Sequence, residues 1–516
     1  MRIALALLVA VAAPVWALTY PGPAPCNGTL QACVDGSAPG DTVSIATNSA
    51  IDQDVTIAKS LTLAAAPGFT PTIGTGPTHR VVTLGDAGPG GGSVDVGLTD
   101  LALSNAEIKV VLNDDGGHRV DITRCTVSHG TMGTLATGID VAVGVPATVT
   151  LDHVTVAAPG TAIRLTTTLA SGEATLTVVG SRATTFTPTA SVVGIGVDVR
   201  GAGTVTTYLY SNVVYGVGGA GTGTRAGISV RTADATGSAA VNVVNNTVDD
   251  VRGATTGIQI LSPPPAGASI AVNLFNNIVT RATRSGIAVL QSPEVPTLTV
   301  TSGFDDTFGN TLADAYGGYT PGPMMLSVDP LYVNAGSGDY HLQPGSPVVD
   351  AGATAPVGGL PSVDAAGNAR IAGAAPDLGA YELGSAPVTS TTTTSSTTTT
   401  LPAGPCPVAA TYDSVRCRVP EVADEVRAGV PAGRVADDLL AAIGRATSAV
   451  QDAEAKSAAG KRRGTRTALT RALRALGGFV RRLDSRGARS VPPDVRAALT
   501  LKVDRLRTDV RALRAG

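Results

Sequence analysis

An internal repeat constrains this chain more than any other feature. Five segments open with Gly and an extended apolar strand: Gly138-Ile-Asp-Val, Gly194-Ile-Gly-Val-Asp-Val, Gly227-Ile-Ser-Val, Gly257-Ile-Gln-Ile and Gly286-Ile-Ala-Val. The last four begin 33, 30 and 29 residues apart. The 56 residues before them hold two turns, with Thr161-Ala-Ile-Arg-Leu as a degenerate middle member. A second series keeps the same phase: Arg124-Cys-Thr-Val, His153-Val-Thr-Val, Ser211-Asn-Val-Val, Asn245-Asn-Thr-Val and Asn276-Asn-Ile-Val, at separations of 29, 58, 34 and 31 residues. Two series sharing one period signal a stacked architecture.

One such unit cannot bury its apolar face alone. Stacking sets like residues over like residues, about 4.8 Å apart, and buries a continuous column. Alternation sends Ile139 and Val141 to one side and Asp140 to the other, and does the same for Ile228 and Val230 around Ser229. In this part of the chain Gly, Pro and short β-branched runs recur too often for long helices. Asn212, Asn246 and Asn277 fall in one column, where Cys125 and Val154 occupy earlier levels. Asparagines stacked before β-branched residues read as a structural ladder bonding up and down the stack, a binding role for the column being the alternative.

Residues 40–383 resemble the bacterial secreted right-handed parallel β-helix repeat proteins, the pectate-lyase-like superfold, in these Gly-Ile-x-Val and Asn-Asn-x-Val patterns. The segments Val328-Asp-Pro-Leu-Tyr-Val, Gly338-Asp-Tyr-His-Leu-Gln-Pro-Gly-Ser-Pro-Val-Val-Asp-Ala-Gly and Pro376-Asp-Leu-Gly-Ala-Tyr-Glu resemble the closing segment of that group. The resemblance implies an all-β right-handed parallel β-helix solenoid whose closing segment completes the last turns and covers the exposed end. A bare final rung would present unpaired strand edges. Within the stack, Ser302 to Thr320 interrupts the rhythm with Phe304, Phe308, Tyr316 and Tyr319, and reads as a loop excursion packed on the solenoid.

The ends carry different signals. Arg2, the apolar run Ile3 to Ala13, and the small residues Val15 and Ala17 read as a secretory signal peptide over 1–17. Residues 18–39 form the lead-in and cap, with Pro21, Pro23 and Pro25 favouring extended chain. In an oxidising compartment, Cys26 with Cys33 and Cys406 with Cys417 are local disulfide couples, and Cys125 remains as a buried thiol. The Ser/Thr/Pro-rich stretch 384–405 is a linker. After signal cleavage no apolar segment is long enough for a transmembrane helix.

Beyond the linker, residues 406–516 carry 22 Lys/Arg against 12 Asp/Glu, whereas the preceding 405 residues carry 15 against 28. The apolar period also lengthens to that of a helix. Leu439, Ile443 and Val450 mark one helix; Leu469, Leu473, Leu476, Val480 and Leu483 mark a second; Val495, Leu499, Val503, Leu506, Val510 and Leu513 mark a third. A small all-α, basic helical bundle is expected. Its cations Lys461, Arg462, Arg463, Arg466, Arg481 and Arg482 are either a solvated face or a site for an anionic envelope polymer. Export argues against nucleic acid as the partner, and no aromatic platform accompanies the charge.

Chemistry is harder to read. Polysaccharide lyases and hydrolases of the resembled superfold need clustered carboxylates, with Arg or Lys near an abstracted proton in the lyases. The candidates here are Asp121 with Arg124, Asp152 with His153, and Asp198 with Arg200, each of which also fits the solvated face of a sheet. Asp305 and Asp306 are the candidate ligands for Ca²⁺, which would accompany the enzyme alternative; no other cofactor is implied. The five histidines have no metal-ligand spacing. The expectation is a secreted or cell-surface protein that is carbohydrate-binding, adhesive or structural, its partner an extracellular polysaccharide or anionic envelope polymer. The alternative is a polysaccharide lyase or glycoside hydrolase.

Overall fold

The computed structural model describes residues 17–385 apart from 77, 86–91, 115, 130–136, 187–191, 219–224, 254, 263–267 and 292–297, then 434–483 apart from 459–460, with scattered residues around the latter. Residues 1–16 of the expected signal peptide, residues 386–405 of the expected linker, and Cys406 and Cys417 lie outside the described residues. The chain divides into two compact units, Met1–Ser390 and Thr391–Gly516.

The first unit is a right-handed parallel β-helix of three sheets, here A, B and C, with 11, 9 and 10 strands. Each turn visits A, B and C in order. One turn runs through His118–Thr123, Thr126–Ser128 and Ile139–Val143, and its strands pair with Ala147–Asp152, Thr155–Ala158 and Thr161–Leu169 of the next. The aligned register makes the columns that the alternation requires. Ile108, Ile139, Ile163, Ile195, Ile228, Ile258 and Ile287 stack inside sheet C, all fully buried. Each such side chain contributes about 1.5–3 kcal/mol relative to exposure.

The corner between sheets A and B recurs with one backbone solution. Its first residue is left-handed in successive turns, at Asp100, Arg124, His153, Gly180, Ser211, Asn245, Asn276 and Phe304, with φ of 50–59°. That residue turns the chain, and the next one points into the core: Leu101, Cys125, Val154, Ser181, Asn212, Asn246, Asn277 and Asp305. Asp, Asn and Gly tolerate this conformation best, which explains the Asn-Asn pairs.

Three expectations are corrected. Ser302 to Thr320 is no excursion: Leu298–Gly303, Asp306–Phe308 and Ala313–Gly317 pair in register with the preceding turn and form the last full one. Aromatics there mask a rhythm that the backbone keeps. The lead-in is not only extended chain outside the stack. Ala17–Tyr20 already pairs with Thr42–Ile45, and helix α1 (Leu30–Gly36) buries Leu30, Cys33 and Val34, with Cys26 and Cys33 joined in a disulfide.

The third correction concerns the closing segment. The chain leading into it meets the last rung, where Leu326 bridges to Asp306 and the Val328 N–H donates to Asp306 Oδ1. The remainder runs back down the outside of the A–B corner and sheet B. The outward column of sheet B explains this, because it reads Thr126, Thr155, Arg182, Val213, Thr247, Ile278 and Asp306 and carries two apolar side chains, Val213 and Ile278, that need cover. Val213 packs with Tyr340, Ala380 and Tyr381, and Ile278 with Leu342, Val348 and Leu378. The outer Asn of each pair docks the same segment. Asn245 Nδ2 donates to the Asp377 carbonyl at 2.8 Å, and Asn276 exchanges two bonds with Ala353.

In the second unit, α2 (Arg434–Ala458) and α3 (Arg462–Leu483) pack together through Leu439, Ile443, Leu469, Leu476, Phe479 and Leu483. Leu499, Val503, Leu506 and Val510, described as single helical positions, are fully buried in the same core. No described helix is long and apolar enough to cross a membrane.

Candidate functional site

The candidate residues do not converge. Asp121 and Arg124 are not partners. Arg119, two residues away on the same outward face of the strand, reaches Asp121 at 2.5 Å, while Arg124 turns along the corner to Asp100 one level below, at 2.6 and 2.7 Å. The left-handed backbone at Arg124 aims its side chain away from sheet A, where Asp121 sits. Arg124 holds the Asp100 carboxyl below its ordinary value through that bond. Asp152 and His153 do meet, Oδ1 to Nδ1 at 2.6 Å, with the imidazole lying over Gly180, where a Cβ would come within 2.7 Å of the ring. Asp198 and Arg200 pair at 2.6 Å on sheet C. The three pairs thus occupy sheet A, the A–B corner and sheet C.

Asp305 is the corner residue just before the strand that Asp306 opens, and the two side chains point to opposite sides. Asp305 Oδ1 accepts the Asn277 N–H at 2.8 Å and its side-chain amide at 2.9 Å, inside the core. Asp306 Oδ1 faces outward and accepts the Val328 N–H at 2.9 Å. Burial pushes each carboxyl up to about 7. Among the described residues no group of three or more His, Cys, Asp or Glu could hold a metal ion.

Asp305 is the foot of the Asn column. The backbone N–H and side-chain amide of Asn212 both donate to Asn246 Oδ1, and those of Asn246 both donate to Asn277 Oδ1, all at 3.0 Å. The other amide proton of Asn212, Asn246 and Asn277 goes to the carbonyl of Val178, Leu209 and Val243. Every polar atom of these side chains is used internally, with none left to face a ligand. Cys125, in the same column, is buried, and its thiol is pushed up to about 11 by desolvation.

What sequence reasoning missed is a cleft built where the closing segment meets sheet B. Tyr215, Asp249 and Thr280 form one outward column there, and the next residues, Gly216, Asp250 and Arg281, share a left-handed corner. The turn Ala335–Ser337 and Tyr340 form the opposite wall of a space of about 490 Å³, to which Arg252 and Arg281 also contribute. Asp249 is fully buried and accepts from Thr280 Oγ1 at 2.7 Å and Arg281 Nε at 2.9 Å. Arg252 pairs with Asp250. Both arginines remain about half or more exposed, at 51% and 67%.

Aromatic rings frame this cleft. Tyr340 lies 5.5 Å from Tyr215 and 5.1 Å, edge-on, from Tyr332. Arg182 sits 5.3 Å over the Tyr215 ring and donates to Tyr381 Oη at 2.7 Å and to the Gly338 carbonyl at 2.6 Å, so the wall is tied to the stack. Burial, reinforced by the nearby Asp249 charge, holds the Tyr340 hydroxyl far above its ordinary value and therefore neutral. The result is amphipathic: the half-buried Tyr215 ring stands beside guanidinium donors and carboxylate acceptors, while Tyr340 is buried behind it. The spacing of single residues on Asn-Asn-x-Val strands gave no hint of it, because half of the cleft comes from a segment about a hundred residues further on. The only signal was the unusual outward Tyr215.

Comparison of the chain with protein-family models, curated proteins and solved structures gives no match. Fold and site together define a right-handed parallel β-helix protein with an appended helical module.

Proposed function

We propose that this is a secreted or surface-associated bacterial β-helix protein that binds carbohydrate through the Tyr215–Tyr340 cleft. The observation that carries the reading is the cleft itself, in which the half-buried Tyr215 ring, two accessible guanidiniums and Asp250 line one open space, with the buried Tyr340 behind them. Saccharides need such a surface, apolar for the ring face and polar for the hydroxyls. Secretion is supported by the N-terminal apolar run and by the Cys26–Cys33 disulfide, a bond that persists in oxidising compartments. Adhesion or scaffolding along a polymer suits an elongated stack with repeated polar faces.

The alternative, a polysaccharide lyase or glycoside hydrolase, draws on the same cleft, since carboxylates and arginines stand side by side there. Binding and chain cleavage of neutral and acidic oligosaccharides by the full chain should be followed together. Arg252→Ala, at an exposed position, is expected to weaken binding of neutral oligosaccharides about tenfold, in line with loss of one charged hydrogen-bonding group. Unchanged affinity would refute the cleft as the site, and cleavage abolished by Asp250→Asn would establish the enzyme reading instead.

A further inference from the structure

The helical module holds a second concave surface of a different character. A groove of about 1180 Å³ runs between α2 and α3. Its floor is small: Ala441, Gly444, Ser448, Ala449, Ala475 and Gly478. Its rim carries Arg445, Lys456, Arg471 and Arg474 against one carboxylate, Asp452. Asp452 is already engaged by Lys456 at 2.7 Å and by Arg471, and these cations hold its carboxyl below the ordinary value. The rim therefore keeps a surplus of positive charge, with Arg445 and Arg474 both exposed.

A second concavity lies nearer the start of α3. Arg462, Arg463, Arg466, Thr467 and Thr470 line this concavity of about 470 Å³. Arg463, Thr467, Thr470 and Arg474 recur at spacings of four, three and four, which places them on one line of the helix. The buried face, with Ala468, Leu469, Ala472, Leu476 and Phe479, is the opposite one. At 1.5 Å per residue the line spans roughly 17 Å. Of the cations expected from sequence to form such a surface, Arg482 does not belong to it, being half-buried and paired with Asp438 at 2.8 Å. Lys461, Arg462, Arg463, Arg466 and Arg481 are exposed.

We infer that these two arginine-lined concavities, linked by the line of Arg463, Thr467, Thr470 and Arg474 on α3, bind a linear acidic polysaccharide, independently of the cleft on the β-helix. Guanidinium forks and threonine hydroxyls match the oxygens of carboxylate or sulfate groups repeated along a chain. The floor of Ala, Gly and Ser lets the polymer backbone approach the helices without steric obstruction. Nucleic acid fits less well, because no aromatic residue lines either concavity to stack a base. The formal charge of +10 over residues 406–516 supplies long-range attraction for a polyanion.

The test uses the full chain with polygalacturonate, single-stranded DNA and anionic phosphatidylglycerol vesicles, at matched charge concentration and several salt concentrations. Polygalacturonate should bind most tightly, with affinity falling as salt rises. Arg445→Gln/Arg474→Gln should weaken it at least tenfold and flatten the salt dependence, with helix content by circular dichroism unchanged. If that variant loses helix, Ala441→Glu/Ser448→Glu provides the same test, adding negative charge at two exposed positions of the floor without removing a contact. Wild-type affinity in a folded variant would overturn the inference. Tighter binding of DNA or vesicles than of polygalacturonate would also overturn it. Arg445→Gln/Arg474→Gln should leave binding of neutral oligosaccharides, which the cleft on the β-helix would take, unchanged, so the two sites fail separately.

Discussion

Asp305→Asn should stabilise the β-helix at neutral and alkaline pH. Asp305 ends the Asn column as a fully buried carboxyl, with Oδ1 accepting two bonds from Asn277 and Oδ2 buried without a partner. Burial raises it from an ordinary 3.8 to about 7. A raised folded value means that the native state holds the proton more tightly than the unfolded chain. No penalty exists below pH 4, where both states are protonated; it grows between pH 4 and 7 and is complete above 7. The span from 3.8 to about 7 corresponds to about 4 kcal/mol, which is the ceiling of the effect.

Asparagine would keep the acceptor for Asn277 and remove the charge. Its amide would also meet a carbonyl. The three Asn above donate to Val178, Leu209 and Val243, successive members of one register, and the next member is Leu274. Some gain is offset because a charged acceptor makes stronger bonds than a neutral one. A net stabilisation of about 2–3 kcal/mol at pH 8, and less than about 1 kcal/mol at pH 4.5, is therefore expected. Guanidinium unfolding at the two pH values measures it, with hydrogen exchange at residues 298–308 reporting local opening if the stack does not unfold in one step. Equal or lower stability of the variant at pH 8 would refute the reasoning.

Two further outcomes follow from buried atoms. Thr207 stands in the aliphatic column between Leu176 and Val241, fully buried, with Oγ1 unpartnered. Thr207→Val should raise stability by about 1–2 kcal/mol, read from the denaturation midpoint; a lower midpoint would show that the hydroxyl is bonded in solution. Ile278→Asp should set an unpaired charge under Leu342, Val348 and Leu378 and cost about 3 kcal/mol or more. Limited proteolysis should then cut within 328–383 while the stack survives, and an unchanged cleavage pattern would sink the account of how that segment is held.

Arg370 shows why charges in the closing segment resist reading from sequence. It is buried with Asp364, Asp377 and Glu382, a set that resembles a catalytic cluster on paper. In the structure, Asp364 Oδ1 accepts the N–H groups of Ala366 and Asn368, Glu382 those of Ala372 and Asp377, and Arg370 donates to the carbonyls of Gly379 and Ala380. Irregular chain has no ladder to satisfy its backbone, so side chains do it. These charges hold loops in place.

The repeat by itself determined the solenoid, because a period of about 30 residues with two-residue alternation can bury its apolar face only by stacking. Ile139, Ile228 and Ile258 pointed inward, and Asn212, Asn246 and Asn277 aligned, on local pattern alone. Pairings across turns were decided only in three dimensions. Arg124 chose Asp100 over Asp121 because a left-handed corner redirected it, and Asp305 joined the ladder because the register continued where aromatics obscured the motif. The cleft was decided in the same way. Tyr215 and Tyr340 are 125 residues apart, and they meet because apolar side chains in the outward column of sheet B had to be covered. Local periodicity records which face of a strand is buried; it does not record which distant segment will bury the other.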